Sequence, residues 1–420
     1  MLIFRKMLEP GGKNWISKYF ELVQKNTIEL SIPELNGINK NKFLHSYFFP
    51  TGISFGYAAK FLFSNNIESS RWTQEERLKL LLFEAHILIY LSANGGFNEP
   101  DFTQKLLAFY NQYEERKSFE AFKFLRKEND IVKLEGILSR RVHVKRTFAN
   151  MFWVSYLSNG LVYLDVIGFK AFLSNKENSS FSYQNFASAV VKTIVIATYA
   201  DGVIEPQEQS LLSVIFASSG LSSSEKDKII QSAENNSLTV QDLNLSSDTD
   251  GLFKYYLLDL AILAIYSDQV AEERELTFIH NLYKYLKIPN VRLNESVMLI
   301  ERFILENDHR VSFLQMRGSY DRIYASFSRR WIKILGRNKE KLAVELKQNK
   351  ELIALVNKSL VRELSPEEKE KVKTQFFDLI KTMPALAIFM LPGGALLLPI
   401  ILKIIPDLIP SSFRQNKLDE

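Results

Sequence analysis

The sequence predicts an all-α protein, a multi-helical body that ends in a proline-rich membrane helix. Three observations carry that prediction. From Arg71 to about Ala93, Leu78, Leu81, Leu82, Ala85, Leu88 and Ile89 recur at three- and four-residue steps, the period of an amphipathic helix. Residues 197–221 align without gaps with residues 264–288, so an apolar helix, an acidic loop and a second helix occur twice at an offset of 67 residues. Between Lys381 and Lys403 nothing is charged, and the 21 residues Thr382 to Leu402 would make a helix about 31 Å long. A hydrocarbon core is about 30 Å thick.

Composition narrows the class of protein. A chain of 420 residues, 46% hydrophobic and 24% charged, has ordinary globular values and length for about two to three domains. The net charge of +5 is small for that length, so no overall field argues for nucleic acid, and no DNA partner is expected. The absence of cysteine removes disulfides, thiolate nucleophiles and zinc–thiolate sites together. No phosphate-binding loop of the G-x-x-x-x-G-K type, no G-x-S-x-G and no H-E-x-x-H occurs, and the five histidines stand far apart, so the expectation is a non-catalytic protein. The amino terminus, MLIFRKMLEPGG, has no uninterrupted apolar run of the secretory kind.

In chain order, residues 1–130 read as an amino-terminal helical region: short helices joined by turns, then the helix from Arg71 closed by Asn94, Gly95 and Gly96, then a second from about Pro100 to Lys123. Residues 131–180 read as a helical hairpin and linker. Its uncharged run, Thr147 to Leu164, has the length of a membrane span, but Asn150, Ser155, Ser158, Asn159 and Gly160 interrupt it, which favours a buried hairpin. The basic cluster before it, Arg140, Arg141, His143, Lys145 and Arg146, reads as a solvated face, with a nucleic-acid or lipid-headgroup contact as the alternative. Ser174 to Ser182 is the best linker in the chain.

Residues 181–295 hold the repeat. Asp201, Glu205 and Glu208 of the first copy align with Asp268, Glu272 and Glu275 of the second. These acids have two readings. In one they are caps: Pro206 suits a first helical position, with Glu205 at the cap and Glu208 folding back on it. In the other they form a weak hard-cation site, since carboxylate oxygens are what calcium or magnesium prefers, and the two loops would then lie side by side. No other cofactor is implied. Asp248-Thr249-Asp250-Gly251 is too short for an EF-hand loop and reads as the opening of the next helix.

The repeat resembles the TerB module of tellurite-resistance and related stress proteins, in which an A-D-G-x-[IV]-x-x-x-E loop joins two helices. The first copy reads Ala200-Asp201-Gly202-Val203-Ile204 with Glu208, and the second has Gln269 where the glycine belongs. That resemblance implies a TerB-like helical scaffold at the membrane, with a carboxylate site for a divalent cation.

Residues 296–360 read as basic connecting helices with two readings. In one, Ile323, Phe327, Trp331 and Ile334 form one buried stripe, with the basic face solvated or near anionic lipid. In the other, the interleaved bases and aromatics from Arg317 to Arg337 serve RNA stacking and phosphate contact. Residues 361–420 carry the membrane segment, broken by Pro384, Pro392, Gly393, Gly394, Pro399, Pro406 and Pro410. A membrane helix tolerates such breaks better than a soluble one does, because neighbouring helices and waters meet the freed carbonyls. Arg362, Lys369, Lys371, Lys373 and Lys381 precede the run, against Arg414 and Lys417 beyond it, so the bulk of the chain is expected in the cytoplasm. A re-entrant turn at Pro392-Gly393-Gly394 would instead keep both ends on that side.

The order Leu364, Ser365, Glu368, Asp378, Leu379, Pro384, Pro392, Leu396 to Pro399, Lys403, Pro406, Pro410 to Phe413 resembles the transmembrane segment of the Letm family, the leucine-zipper and EF-hand-containing transmembrane proteins of mitochondria, and their bacterial relatives. The resemblance implies a membrane location, membrane lipid as partner, a part in envelope or ion homeostasis, and contact with ribosomes, whose binding part in that family lies mostly beyond this segment. The family's acidic position within the run is Ala395 here. A transport role would require a homo-oligomer, because one kinked helix cannot enclose a pathway. The alternative is a soluble TerB-like scaffold or metal sensor whose apolar tail packs on a partner.

Overall fold

The computed structural model describes residues 8–33, 39–114, 129–143, 159–174, 182–199, 206–265, 273–307, 348–362, 364–368, 371–372 and 374–375. All regular structure among them is helical. The chain divides into two compact units, Met1–Leu293 and Asn294–Glu420.

The first unit is built on α3 (Gln74–Asn94). Thr73 and Glu76 close a capping box: the Glu76 amide donates to Thr73 Oγ1 (3.2 Å) and the Thr73 amide to Glu76 Oε2 (2.7 Å). Gly95, at φ 74°, ends the helix in the left-handed conformation. Every residue from Leu78 to Leu91 is buried, so α3 is a core helix with neighbours on all sides. α1 (Trp15–Gln24) sets Trp15, Tyr19 and Phe20 edge-on to Phe83, with ring centroids 5.4, 5.3 and 5.7 Å away. α2 (Lys40–Phe48), α4 (Glu99–Glu114), α5 (Asp130–Val142) and α6 (Tyr163–Leu173) pack around α3. The helix expected from Pro100 is α4; residues 115–128, into which it was expected to run, are outside the described set.

A core helix this long carries polar groups that must be met inside. Glu84, fully buried, accepts from the Tyr19 hydroxyl (3.2 Å) and from the amides of Leu62 (2.7 Å) and Phe63 (3.1 Å). It thereby supplies the irregular segment before α3 with an acceptor, and burial pushes its carboxyl above the ordinary range. Glu135 of α5 plays a similar part at α1. Asn14 sits at φ 62° and makes no side-chain cap. The Glu135 carboxylate instead accepts from the amides of Asn14 (3.0 Å) and Ile16 (2.9 Å), where the helix dipole also favours a negative charge.

Asp165 is a further buried carboxylate. Arg141 holds it through Nε (2.7 Å) and a terminal nitrogen (2.5 Å), and the Tyr110 hydroxyl lies 3.2 Å away. Arg141 was expected on a solvated face. It is drawn inward because an ionised carboxylate with no exposure needs a cation. His86 adjoins this group, with Nδ1 2.7 Å from the Leu82 carbonyl and Nε2 3.3 Å from the Tyr110 hydroxyl. Burial lowers its pKa to about 4. Close by, Gly56 (φ 65°) lets a turn approach residues 159–160 so closely that a Cβ would meet the Asn159 carbonyl at 2.6 Å. Of the uncharged run Thr147–Leu164, residues 147–158 are not described, and residues 159–164 are buried.

The repeat takes the form of two helix–loop–helix copies, α7 (Tyr183–Thr198) with α8 (Pro206–Ser219), and α10 (Gly251–Ile265) with α11 (Glu273–Tyr285). The 67-residue offset carries the end of α7 onto the end of α10 and the start of α8 onto the start of α11. Both copies close on a left-handed residue at equivalent positions, Gly220 (φ 66°) and Lys287 (φ 55°). Phe186 and Phe253, also equivalent, stack on each other at 4.0 Å and 11°. Contact between equivalent residues is what a local two-fold relation produces. Between the copies run α9 (Ser223–Glu234), opened by a Ser222–Glu225 capping box, and a 3-10 turn, Val240–Leu243. Asp250 opens α10 by accepting from the Leu252 amide (2.8 Å), as the sequence expected of that turn. Lys170 of α6 binds both Asp250 and Asn41 of α2, and His45 of α2 meets Asp259 of α10 at 2.5 Å.

In the second unit the described residues are the body of α12 (Asn290–Asn307), α13 (Lys350–Val361) and the segment from Leu364 to Gln375 with gaps. α12 buries Glu295, Glu301 and Arg302 among its apolar residues. The stripe expected at Ile323 to Ile334 lies outside the described residues.

Two measurements check this core. Asp165→Asn leaves Arg141 without its anion and should cost about 3 kcal/mol, read as a lowered urea midpoint; the double variant Arg141→Met with Asp165→Leu should recover much of the loss. His86 gives a pH dependence of defined sign. Its folded pKa of about 4 is below the unfolded value of about 6.5, so the unfolded state binds the extra proton between them. Its contribution is complete above about pH 6.5 and is lost as pH falls toward 4, at up to about 1.4 kcal/mol per pH unit. His86→Gln should flatten the melting temperature over that window, and an unchanged slope would show that another group titrates there.

Candidate functional site

Two places can carry function: the start of the carboxy-terminal segment and a groove beside the repeat. The carboxy-terminal one begins at Leu364, which is buried. Ser365 and Glu368 form a capping box: the Glu368 amide donates to Ser365 Oγ (3.3 Å) and the Ser365 amide to Glu368 Oε2 (3.0 Å). The same carboxylate takes two parallel hydrogen bonds from Arg362, at 2.8 and 2.7 Å, and a third from Lys358 at 3.3 Å. Hydrogen bonds from Arg362 first, then the Ser365 amide, hold the Glu368 carboxyl down at about 2. The L-S-x-x-E motif is thus a helix start with its acid clamped by two cations of α13 and the turn that follows. A bidentate arginine–carboxylate pair has one relative orientation, so the direction in which the chain leaves Leu364 is set by it. Val372, fully buried, continues the segment.

The groove has a volume of about 730 Å³ and lies in the first unit. α7 supplies Ile196 and Tyr199, the α9 end and the 3-10 turn supply Ala233, Asn236 and Leu238 to Gln241, and α11 supplies Thr277, Phe278, Asn281, Lys284 and Tyr285. The α11 residues share one face, since they fall at helical spacing. Ala233, Val240 and Phe278 are buried, whereas Asn236, Gln241, Asn281 and Lys284 are exposed. The Tyr285 hydroxyl accepts from the Leu245 amide at 3.0 Å. Burial, with Glu234 nearby, pushes the Tyr199 hydroxyl above its ordinary pKa.

Of the sequence-predicted site residues, the structure describes Glu208 and Glu275. Glu208 and Glu275 sit in the first turns of α8 and α11, and Pro206 is the first residue of α8, the place the capping reading gives it. Asp201, Glu205, Asp268 and Glu272 lie outside the described residues. Among the described residues no group of three or more histidine, aspartate or glutamate side chains could hold a metal. Pro384, Pro392, Gly393, Gly394, Pro399, Lys403, Pro406 and Pro410 also lie outside the described set. Among the described residues no single helix is long and apolar enough to cross a membrane. The α3–α4 pair meets that composition only together, across a 111° bend, and its α3 half is the core helix described above. Sequence reasoning missed the groove, although its alignment already paired Asn281 with Val214 and Lys284 with Ala217, a polar replacement on one copy alone.

These features define the class: an all-helical protein with an internal two-copy helical module and a motif-bearing carboxy-terminal segment. Residues 364–420 match the family described as LETM1-like, RBD, so that part of the chain is a Letm-like segment, and the match starts at the leucine ahead of the capping box. No curated protein and no solved structure shows significant similarity to the chain.

The box makes a local prediction. Ser365→Ala removes a cap with a typical value of about 1 kcal/mol. Exchange of the Glu368 amide, followed by mass spectrometry, should quicken by roughly fivefold, and unchanged protection would show that the cap does not hold the segment's start.

Proposed function

We propose that this chain is a non-catalytic, membrane-associated protein of the Letm-like type. The uncharged run Thr382 to Leu402 holds it to the bilayer, and the helical body stays on the cytoplasmic side. The observation that carries this reading is the Letm-like match over residues 364–420. The folded motif at Leu364, Ser365 and Glu368 supports it, because the residues at the start of the match form a clamped helix start. Within this reading the work is envelope or ion homeostasis. Ala395 stands at the family's acidic position, which places the emphasis on tethering and recruitment, with ribosomes as the candidate partner and self-association as the requirement for any transport. The repeat is the TerB-like scaffold of the body, and its acidic loops are the candidate divalent-cation site.

A second reading is a soluble TerB-like scaffold or metal sensor whose apolar tail packs on a partner. One observation favours it: the two copies repeat in structure as well as in sequence, with matching helix ends and the Phe186–Phe253 stack. Membrane fractionation separates the two. Under the first reading the full chain resists a carbonate wash and a truncation ending at Lys381 is released. A full chain recovered in the soluble fraction would overturn the membrane reading and leave the second.

A further inference from the structure

The two repeat copies have equivalent second helices with different surroundings. In the first copy Val214 and Leu211 are buried, and Gly160 lies so close that a Cβ on it would stand 3.2 Å from Val214 Cγ1. In the second copy the equivalent positions are Asn281 and Phe278, and Ala217 is replaced by Lys284. Phe278 stays in the floor, while Asn281 and Lys284 stand exposed on the wall of the 730 Å³ groove. One copy covers this face with its own chain, and the other presents polar groups around a cavity.

Four of the polar side chains that converge there, Asn236, Gln241, Asn281 and Lys284, have no partner among the described residues. Among the described residues, Lys284 is the one charged side chain that lines the groove. The remaining surface mixes the hydroxyl-bearing Thr239 and Thr277 with apolar and aromatic groups from Ile196, Leu238, Val240, Phe278 and the rings of Tyr199 and Tyr285. A concave site of this size, with an apolar floor and a few convergent polar groups, has the make-up of a small-molecule site. One cation calls for one anionic group; amides from the α9 end, the 3-10 turn and α11 suit hydrogen bonds to a polar edge, and aromatic rings suit a planar body.

We propose that the groove between α7, the Val240–Leu243 turn and α11 binds a small organic anion, a carboxylate or phosphate monoester with a planar body. Lys284 receives the anion, Asn236, Gln241 and Asn281 bond its polar edge, and Phe278 and Val240 contact its body. The inference is independent of the membrane reading. Tyr199 is the last residue described before the first acidic loop, and Thr277 follows the second by five residues. An occupant would therefore sit against the stems of both loops.

The test uses the full chain as it is recovered, in lipid nanodiscs with empty nanodiscs as reference if it fractionates with membranes, and in buffer with a protein-free reference if it is soluble. Saturation-transfer NMR is recorded with phenylacetate, phenyl phosphate and uncharged phenylacetamide. At least one anion should show transfer well above the reference and above the amide, and the stronger of the two identifies the head group. Lys284→Met should weaken that anion about tenfold, the loss expected for a hydrogen bond to a charged group, and Lys284→Arg should restore most of it. Asn281→Leu, on the same wall, should also weaken binding. Both positions are exposed, so the variants should melt at the wild-type temperature. No transfer from either anion, equal transfer from the amide, or an affinity unchanged in Lys284→Met and Asn281→Leu would overturn the proposal.

Discussion

A carboxylate at Asp165 with no access to water has to be met by a cation, and that requirement fixes where several helices stand. Arg141 of α5 reaches it with two nitrogens, and Tyr110 of α4 closes the third side. The guanidinium plane admits few orientations, so α4, α5 and α6 are held in one register around α3 in a way that apolar contacts alone would leave adjustable. Glu84 and Glu135 apply the same logic to backbone donors. One serves the irregular segment at 62–63, the other the uncapped start of α1. Two buried acids from two helices thus do what caps and turns do elsewhere.

The repeat shows how a duplicated element is held and then made unequal. Phe186 and Phe253 stack because equivalent faces meet, and α10, buried along nearly its whole length, becomes the shared wall of both copies and of α2. His45 with Asp259, and Lys170 with Asp250 and Asn41, tie that wall to the amino-terminal helices. Burying such pairs is stabilising only while both partners stay, so these contacts specify how the repeat seats within the first unit more than they add to its stability. The inequality lies in the second helices, where Val214 is covered and Asn281 is not.

Much of the architecture was legible in the pattern of residues. Helical spacing found α3, Gly95 closed it, Asp250 opened α10, and the offset of 67 found two copies whose helix ends coincide. What escaped was long-range. Arg141 in a basic cluster looks like a solvated residue until Asp165, 24 positions later, is folded against it. Nothing local marks Glu135 as the cap of a helix 119 residues away. The groove escaped for a related reason: its lining comes from four stretches between Ile196 and Tyr285, and only a comparison of the two copies position by position shows where one has turned polar. Of the Letm-like motif, Leu364, Ser365 and Glu368 were legible as order before their role as a helix start was visible.

That helix start bears on how an apolar segment can be attached to a folded body. A run of uncharged residues packs against lipid or against a partner with little preference for direction, since apolar contact is non-directional. Direction must come from the polar residues at its edge. Glu368 receives Arg362, Lys358 and the Ser365 amide together, which converts three flexible groups into one fixed corner ahead of the run. The arrangement also spends two of the positive charges preceding the run on a carboxylate.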